Sequence, residues 1–227
     1  MRRCTIKKVY NDPESVLIHG ITQLFCFFRR PIQTQYNRKR PTMKDGIALL
    51  KAAQNLDEEA LTAIFDQFAP AIYKYTLRLC HDPIVADNIV GDVFAQLLEQ
   101  FAGGKGPRTN LRSYLYQTAY HLVVDRSRDN SHNAPLEIAV GTYEKGRFMP
   151  TQTQIEERVM MEALISAMNT ELTEDQRHVI ILRFLEDFSL KETAEIIGKE
   201  VNNIKVIQNR GIAKLRKALG LQLEDNW

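Results

Sequence analysis

The sequence SLKETAEIIGKEVNNIKVIQNRGIAKLRKAL, residues 189–219, carries the clearest structural pattern of this 227-residue chain. Ser189 and Glu192 have the spacing of a capping box, in which two side chains bond each other's backbone N–H groups at a helix start. Ala194, Ile196 and Ile197 are the apolar positions that we expect this helix to bury. Gly198 then supplies the permissive backbone that a sharp turn needs. The pattern predicts a short helix that ends at Gly198.

A second helix is predicted after this turn, because its two sides differ in chemistry. The apolar side holds Val201, Ile204, Gly211, Leu215 and Leu219, and the opposite side holds Asn202, Asn203, Val206, Asn209, Arg210 and Lys217. This is the helix-turn-helix layout, whose second helix enters the DNA major groove. Six basic residues lie between Lys199 and Lys217 against Glu200 alone, which favours phosphate binding. An amphipathic helix with a solvated basic face is the alternative interpretation.

Composition places the chain among ordinary globular proteins and excludes several classes. It is 44% hydrophobic and 26% charged, enough to bury a core. Its three cysteines, Cys4, Cys26 and Cys80, form no Cys-x-x-Cys pair, which argues against a disulfide framework or cysteine zinc site and suits a reducing cytoplasm. The apolar run at 15–28 is interrupted by polar residues and is too short to span a bilayer, so no membrane insertion is expected.

The first 43 residues differ from the rest of the chain. They hold nine Lys or Arg against two acidic residues, whereas the remaining chain has 21 basic and 26 acidic residues. Pro13, Pro31 and Pro41 interrupt the segment, and no sustained period is present. We expect residues 1–43 to be a poorly ordered basic extension. The change of pattern at Met43 favours translation from that methionine, with a functional basic arm as the alternative.

Helical periodicity dominates from residue 44 onwards, and no useful run of period-two alternation occurs. The sequence predicts an all-α protein of two helical bundles joined by a flexible linker, the second bundle being a helix-turn-helix domain. We expect the first domain over 44–128, the linker over 129–154, the second domain over 155–222 and a tail over 223–227. Polar breaks are predicted at 55–57 and at Pro83, and a glycine-rich loop is predicted over 103–110.

The predicted helix at 111–128 has two different faces. Leu111, Leu115, Thr118, Ala119 and Leu122 form the core side, and Ser113, Tyr116, Gln117 and Tyr120 lie on the other side. Arg112, Arg126 and Arg128 lie near the same element. Exposed aromatic rings with basic neighbours are typical of single-strand binding, because rings stack on unpaired bases and cations contact the backbone. The alternative is that both tyrosines pack against a neighbouring helix.

Two segments resemble RNA polymerase sigma factors of the extracytoplasmic-function (ECF) type. LTEDQRHVIILRFLEDFSLKETAEIIG (172–198) and the helix after it resemble the domain that reads the minus-thirty-five promoter element and touches the flap of the polymerase β subunit. FAPAIYKYTLRL (68–79), DPIVADNIVGDVF (82–94) and LRSYLYQTAYHLVVDRSR (111–128) resemble the domain that binds core polymerase and the minus-ten element. The chain differs from the residues common in the family at three positions. Ile207 and Ile212 stand where the family often has arginine, and Gln208 stands where a core leucine is usual.

The resemblance implies roles for particular residues. In the second domain, the residues that contact bases and phosphates would be Asn202, Asn203, Lys205, Val206, Asn209 and Arg210. The charge pattern adds Lys214 and Lys217 as candidate DNA contacts, and the chemistry of single-strand binding adds Arg112, Tyr116, Tyr120, Arg126 and Arg128 in the first domain. Minus-ten recognition and strand opening would map to the loop at 103–110 and the helix at 111–128. Asp82, Asp87, Asn88 and Asp92 would contact the clamp helices of the polymerase β′ subunit, with a solvated helix face as the alternative. His121, Asn88 and Gly91 depart from residues common in the family.

No catalytic, metal-ligand or phosphate-cradling pattern occurs, so the sequence predicts neither an enzyme nor a cofactor. It predicts a sigma factor that binds core RNA polymerase, reads promoter DNA and assists melting in the cytoplasm. Whether an anti-sigma factor is a further partner stays open. The alternatives are an autonomous helix-turn-helix regulator and an interaction module that uses the basic helix as a partner-binding face.

Overall fold

A computed structural model describes residues 43–130 and 152–220 of the chain. Within these ranges the regular structure is helical and no β-strand occurs, which confirms the all-α prediction. The predictions for the extension before Met43, for most of the linker and for residues 221–227 lie outside the described residues. The exact domain limits therefore stay a prediction.

The N-terminal domain has four helices. They are α1 (Met43–Gln54), α2 (Glu58–Cys80), α3 (Pro83–Ala102) and α4 (Leu111–Asn130). Asp57 caps α2 by accepting a hydrogen bond from the Ala60 N–H, and Asp82 caps α3 at Ile84 and Val85. Both predicted breaks and the loop at 103–110 are confirmed.

The C-terminal domain consists of four helices and one π-helical turn. They are α5 (Gln152–Thr170), α6 (Glu174–Ile180), the π turn (Ile181–Leu185), α7 (Leu190–Ile197) and α8 (Val201–Ala218). The predicted capping box Ser189/Glu192 forms at the start of α7, and Thr173 and Gln176, which have the same spacing, form a second one at the start of α6. Gly198 ends α7 with a φ of 72°, a left-handed conformation that glycine adopts without steric cost. Helix α5 begins three residues before the predicted Ile155, and the sequence did not predict the π turn.

Each domain has a core of aliphatic side chains. Ile72, Ile89, Val93, Leu97 and Leu115 are buried in the first domain, and Ile180, Leu182, Ile196, Ile204 and Leu215 are buried in the second. Burying one such side chain contributes about 1.5–3 kcal/mol relative to leaving it exposed, so these residues hold the helices in place.

The two domains also pack against each other, with α4 in contact with α7. One side of α4 therefore faces its own domain, through Leu115 and Ala119, and the other side faces the C-terminal domain. This contact decides how the candidate site residues are presented.

Candidate nucleic-acid interface

Helix α8 presents a polar face to solvent. Asn202, Asn203, Lys205, Val206, Asn209, Arg210, Lys214 and Lys217 are all exposed. The helix is held from the other side by Ile204, Ile212 and Leu215, which are buried. A Cβ atom on Gly211 would lie 3.4 Å from Ile180 Cγ1, at van der Waals distance, so α8 packs directly against α6 at this position. The geometry is that of a helix-turn-helix whose second helix is free for a ligand on one side.

One residue expected on the buried side of α8 is exposed. Val201 was predicted to face the core, and it is 41% exposed. It is the first residue of the helix, and the buried face of α8 begins one turn later, at Ile204.

Gln208, which stands where a core leucine is usual, is buried and has a polar partner. Its Oε1 accepts a hydrogen bond of 2.9 Å from Arg183 Nε on the π turn. Arg183 also donates to the carbonyl of Phe188. Ile207 and Ile212, the other two departures, pack on or within the core instead of facing solvent. The departures are therefore part of the packing behind α8.

Some basic residues of this domain are engaged within it. Lys214 Nζ donates to the Glu171 carbonyl at 2.9 Å, and Lys199 pairs with Asp175. Both contacts tie α8 or the turn before it to the helices behind, which fixes the orientation of the exposed face.

Tyr116 and Tyr120 do not face solvent, so the expectation that they do is wrong for this arrangement. They are 1% and 7% exposed, respectively. Tyr116 lies against Phe188 with ring centroids 4.8 Å apart, and Tyr120 lies against His178 at the same distance. The alternative, that both tyrosines pack against a neighbouring element, is what the structure shows. The reason is that the C-terminal domain covers this side of α4.

The carboxylate of Glu186 lies at the centre of the contact between the domains. Its Oε2 accepts a hydrogen bond of 2.6 Å from the Tyr116 hydroxyl, and its Oε1 pairs with Arg78 at 2.9 Å. Arg112 donates to the Glu186 carbonyl and lies 3.8 Å from the Phe188 ring centroid. Arg78, Glu186 and Phe188 were not predicted as site residues, because no local sequence pattern links them.

A second polar contact crosses the same interface. The Tyr75 hydroxyl and His178 Nδ1 are 2.8 Å apart, and both residues are fully buried. Burial raises the pKa of Tyr75 well above its ordinary value and lowers the pKa of His178 to about 3. Both side chains are therefore neutral near pH 7 and bond as phenol and imidazole.

The remaining predicted arginines lie towards the end of α4. Arg126 is 3.9 Å from Asp92 on α3, and Arg128 is 3.7 Å from Asp125. Arg128 is exposed, whereas Arg126 is half-buried. Together with Arg112 at the other end of the helix, they are spread along α4 and do not form one cluster.

The backbone of the loop at 103–110 is held in several places. Next to α3, the N–H groups of Gly104 and Lys105 donate to the carbonyls of Phe101 and Gln100 at 3.0 and 2.8 Å. A Cβ on Gly106 would overlap the Phe101 ring at 2.2 Å, so only glycine fits there while the ring keeps its buried place. Gln54 Nε2 at the end of α1 donates a 2.8 Å hydrogen bond to the Pro107 carbonyl. Between and beyond these points Lys105, Arg108 and Thr109 are exposed. The loop thus offers polar side chains on a fixed backbone.

The predicted acidic residues of α3 divide into two groups. The Asp82 carboxylate is used to cap the helix. Asp87, Asn88 and Asp92 are exposed along α3, on a side that the C-terminal domain does not cover.

Within the described residues, no group of three or more His, Cys, Asp or Glu could hold a metal ion. None of the helices described here is long and apolar enough to cross a membrane.

Comparison with known families gives a match in each domain. The model of sigma-70 region 2 matches residues 64–133, and that of sigma-70 region 4 matches residues 170–217. These are the two segments that carry the resemblance in the sequence. The chain therefore belongs to the sigma-70 family of RNA polymerase sigma factors, which direct promoter-specific transcription.

Its curated relatives indicate the ECF type. The chain is 25% identical over 175 residues to the ECF RNA polymerase sigma factor SigX of Bacillus subtilis, covering 74% of this chain and 88% of SigX. It is 25% identical over 177 residues to the ECF sigma factor SigK of Mycolicibacterium vanbaalenii, covering 77% and 89%.

Two solved structures share the fold. The sigma factor RpoE of Bartonella quintana, in complex with the anti-sigma factor NepR, matches with a TM-score of 0.52 and 20% identity over 71% of this chain and 97% of RpoE. CnrH, in complex with the cytosolic domain of CnrY, matches with a TM-score of 0.55 and 17% identity over 77% of this chain and 96% of CnrH.

Proposed function

We propose that this sigma factor uses the exposed face of α8 to read duplex DNA at the minus-thirty-five element. The observation that supports this most directly is that every predicted contact residue on α8 is exposed while the opposite side is packed. Asn202, Asn203, Asn209 and Arg210 carry the donors and acceptors that read base edges in the major groove. Lys205, Lys214 and Lys217 supply positive charge for phosphates.

The minus-ten element is recognised as a separated strand by the N-terminal domain. Lys105, Arg108 and Thr109 of the loop lie exposed at one end of α4, close in sequence to Arg112. Tyr116 and Tyr120 contribute stacking surfaces for unpaired bases once they are uncovered, since aromatic rings stack on any base. Arg126 and Arg128 contact the strand backbone further along the helix.

Core RNA polymerase binds the other side of the N-terminal domain. Asp87, Asn88 and Asp92 face solvent on α3 and suit a basic partner such as the β′ clamp helices. Asp82 acts there through the start of α3, which its carboxylate caps. The C-terminal domain contacts the β flap. The chain catalyses nothing itself and acts in the cytoplasm, where the polymerase is.

An anti-sigma factor is proposed as a further partner, since one solved structure that shares this fold is a complex with the anti-sigma factor NepR and another is a complex with the cytosolic domain of CnrY. The autonomous helix-turn-helix regulator is disfavoured, because such a regulator has no need of a region 2 domain and this chain matches that region over residues 64–133.

Transcription in vitro with sigma-free core polymerase tests the proposal. The free protein should bind promoter duplex weakly, because two small DNA surfaces on separate domains need the enzyme to set their spacing. Addition of core polymerase should give specific initiation. Tight dimeric binding of the free protein to a palindrome, without initiation in the presence of core polymerase, would contradict the proposal.

A further inference from the structure

The face of the N-terminal domain formed by Tyr75, Arg78, Arg112, Tyr116 and Tyr120 has the chemistry of a docking surface. It combines three aromatic rings with two guanidinium groups, and all five side chains contact the C-terminal domain. We propose that this surface, the tyrosine face, binds the chain's own C-terminal domain and that docking prevents strand capture. The inference rests on the proposed role of α4 in binding the melted strand.

The occupant is specified by charge and shape. Glu186 supplies a carboxylate to Arg78 and to the Tyr116 hydroxyl, and Phe188 inserts its ring between Arg112 and Tyr116. The acidic Glu186 and the aromatic Phe188 thus pack against basic and aromatic side chains of the tyrosine face. These partners come from the segment between the π turn and α7.

The contact is suited to reversible docking because its centre is polar. When the domains separate, Glu186, Arg78 and the Tyr116 hydroxyl lose their hydrogen bonds to one another and form hydrogen bonds to water. These new bonds offset much of the free energy that the contact contributes to docking. A domain core made only of aliphatic groups would lack this compensation.

Docking affects the binding surfaces unequally. Tyr116 and Tyr120 are covered, whereas the α8 face stays exposed, as do Asp87 and Asn88 on α3. The docked protein can therefore still meet duplex DNA through α8 and polymerase through α3, but it cannot stack melted bases on α4. We infer that leaving the docked form is a separate step between promoter recognition and strand capture.

A reversible crosslink tests docking in the free protein. Gln117 on α4 donates to the Glu195 carbonyl on α7 at 3.3 Å, so these positions adjoin across the interface. The variant Gln117→Cys/Glu195→Cys, with Cys4, Cys26 and Cys80 replaced by alanine, should form a disulfide under mild oxidation. Adding Glu186→Ala should slow its formation several-fold. Glu200→Ala removes an exposed carboxylate of the same domain and should leave the rate unchanged.

Arg78→Met removes the same ion pair from the other domain and guards against a folding defect in the Glu186 variant. It too should slow crosslinking several-fold, with helical circular dichroism unchanged. Failure of the crosslink to form, or equal rates in the Glu186, Arg78 and Glu200 variants, would overturn the docking. Because this readout needs neither polymerase nor DNA, it is independent of the proposed function.

The consequence for transcription is tested with the same crosslinked protein. Oxidised protein should bind core polymerase and a minus-thirty-five duplex normally and should lose open-complex formation, with recovery after addition of reductant. Normal opening by the oxidised form would overturn the inhibitory role while leaving the sigma function intact. A pre-melted promoter gives a second test. If the oxidised protein initiates from it as well as the reduced protein does, strand capture does not use α4 and the inference fails.

Discussion

Arg183 and Gln208 join the π turn to the recognition helix: Arg183 Nε donates to Gln208 Oε1 over 2.9 Å behind the exposed face of α8. The glutamine is buried and the guanidinium is half-buried. A hydrogen bond from a charged donor contributes about 1.5–3 kcal/mol, more than a bond between neutral groups. The pair thus replaces the aliphatic contact that a leucine at position 208 would make.

We expect Gln208→Leu and Arg183→Leu to show strong coupling in a double-mutant cycle. Each single change leaves a polar group without this partner, whereas the double change removes both. The coupling free energy should be about 1–2 kcal/mol, measured by urea unfolding of the full chain. Arg177→Leu combined with Gln208→Leu is the control, because Arg177 bonds the carbonyls of Met168 and Asn169 instead. Additive effects in the first pair would show that the bond contributes little.

Gln54→Ala should impair minus-ten selection without impairing polymerase binding. The side chain holds the Pro107 carbonyl, so its loss removes the hydrogen bond that ties this part of the loop to α1. Discrimination between minus-ten variants in multi-round transcription should fall several-fold. Gln96→Ala, at an exposed position of α3, is the matched control. An unchanged preference in the Gln54 variant would mean that the other contacts of the loop hold it in place without the Gln54 hydrogen bond.

Arg210→Ala and Lys205→Ala should weaken DNA binding in different ways. An arginine that meets a base edge contributes about 1–3 kcal/mol, and its loss relaxes sequence preference at that position. A lysine that meets phosphate contributes evenly across sequences, and its loss reduces the salt dependence of binding. Affinities of the polymerase complex for a set of minus-thirty-five variants at several salt concentrations distinguish the two. Identical effects of both changes on all sequences would show that these roles are assigned wrongly.

Replacing Tyr116 and Tyr120 together with alanine should slow open-complex formation. Stacking contributes about 1–3 kcal/mol per base, which the alanine variant loses. A promoter pre-melted across the minus-ten element should rescue much of the defect, because unstacking has already taken place. The leucine pair keeps burial but not stacking and should stay defective. Permanganate footprinting of promoter thymines reports opening directly. A normal rate in the alanine variant would place the melting surface elsewhere.

Mild acid should weaken the structure that buries His178. The pKa of this imidazole is lowered to about 3, chiefly by burial; Arg177 and Lys199 add to the lowering, and Asp175 opposes it. Below pH 6.5 an exposed histidine takes up a proton that the buried one cannot, so stability is complete above that pH and falls as the pH decreases towards 3. The free energy of unfolding decreases by about 1.4 kcal/mol per pH unit in this range, which amounts to about 2 kcal/mol at pH 5.

Thermal unfolding between pH 7.5 and 5 measures this loss. His178→Gln offers a neutral acceptor to the Tyr75 hydroxyl and should flatten the pH dependence. His121→Gln changes an exposed histidine and should leave the slope as it is. Equal slopes in the parent and the His178 variant would assign the acid sensitivity to other groups.

Local chemistry explains why much of the fold was predictable. Capping boxes at Thr173 and Ser189 and the left-handed turn at Gly198 depend on residues at most four positions apart, so a sequence displays them directly. The exposed face of α8 follows from the same periodicity.

The environment of Tyr116 shows what local patterns miss. Periodicity identifies the side of α4 that faces its own domain, but it cannot tell solvent from a second domain on the other side. The partner Glu186 lies 70 residues away in sequence, and the π turn that precedes it has no sequence signal of its own. Coverage of the tyrosines is thus a tertiary property that only the folded chain reveals.

The fit of Gly106 against Phe101 decides which positions of the loop at 103–110 can be substituted in protein engineering. Any side chain at position 106 would push the aromatic ring out of the core, so a change there acts on the whole domain. Lys105, Arg108 and Thr109 project into solvent and carry no such constraint. A combinatorial library at these three positions, with Gly106 retained, could therefore be screened for new promoter preferences while the N-terminal domain keeps its fold.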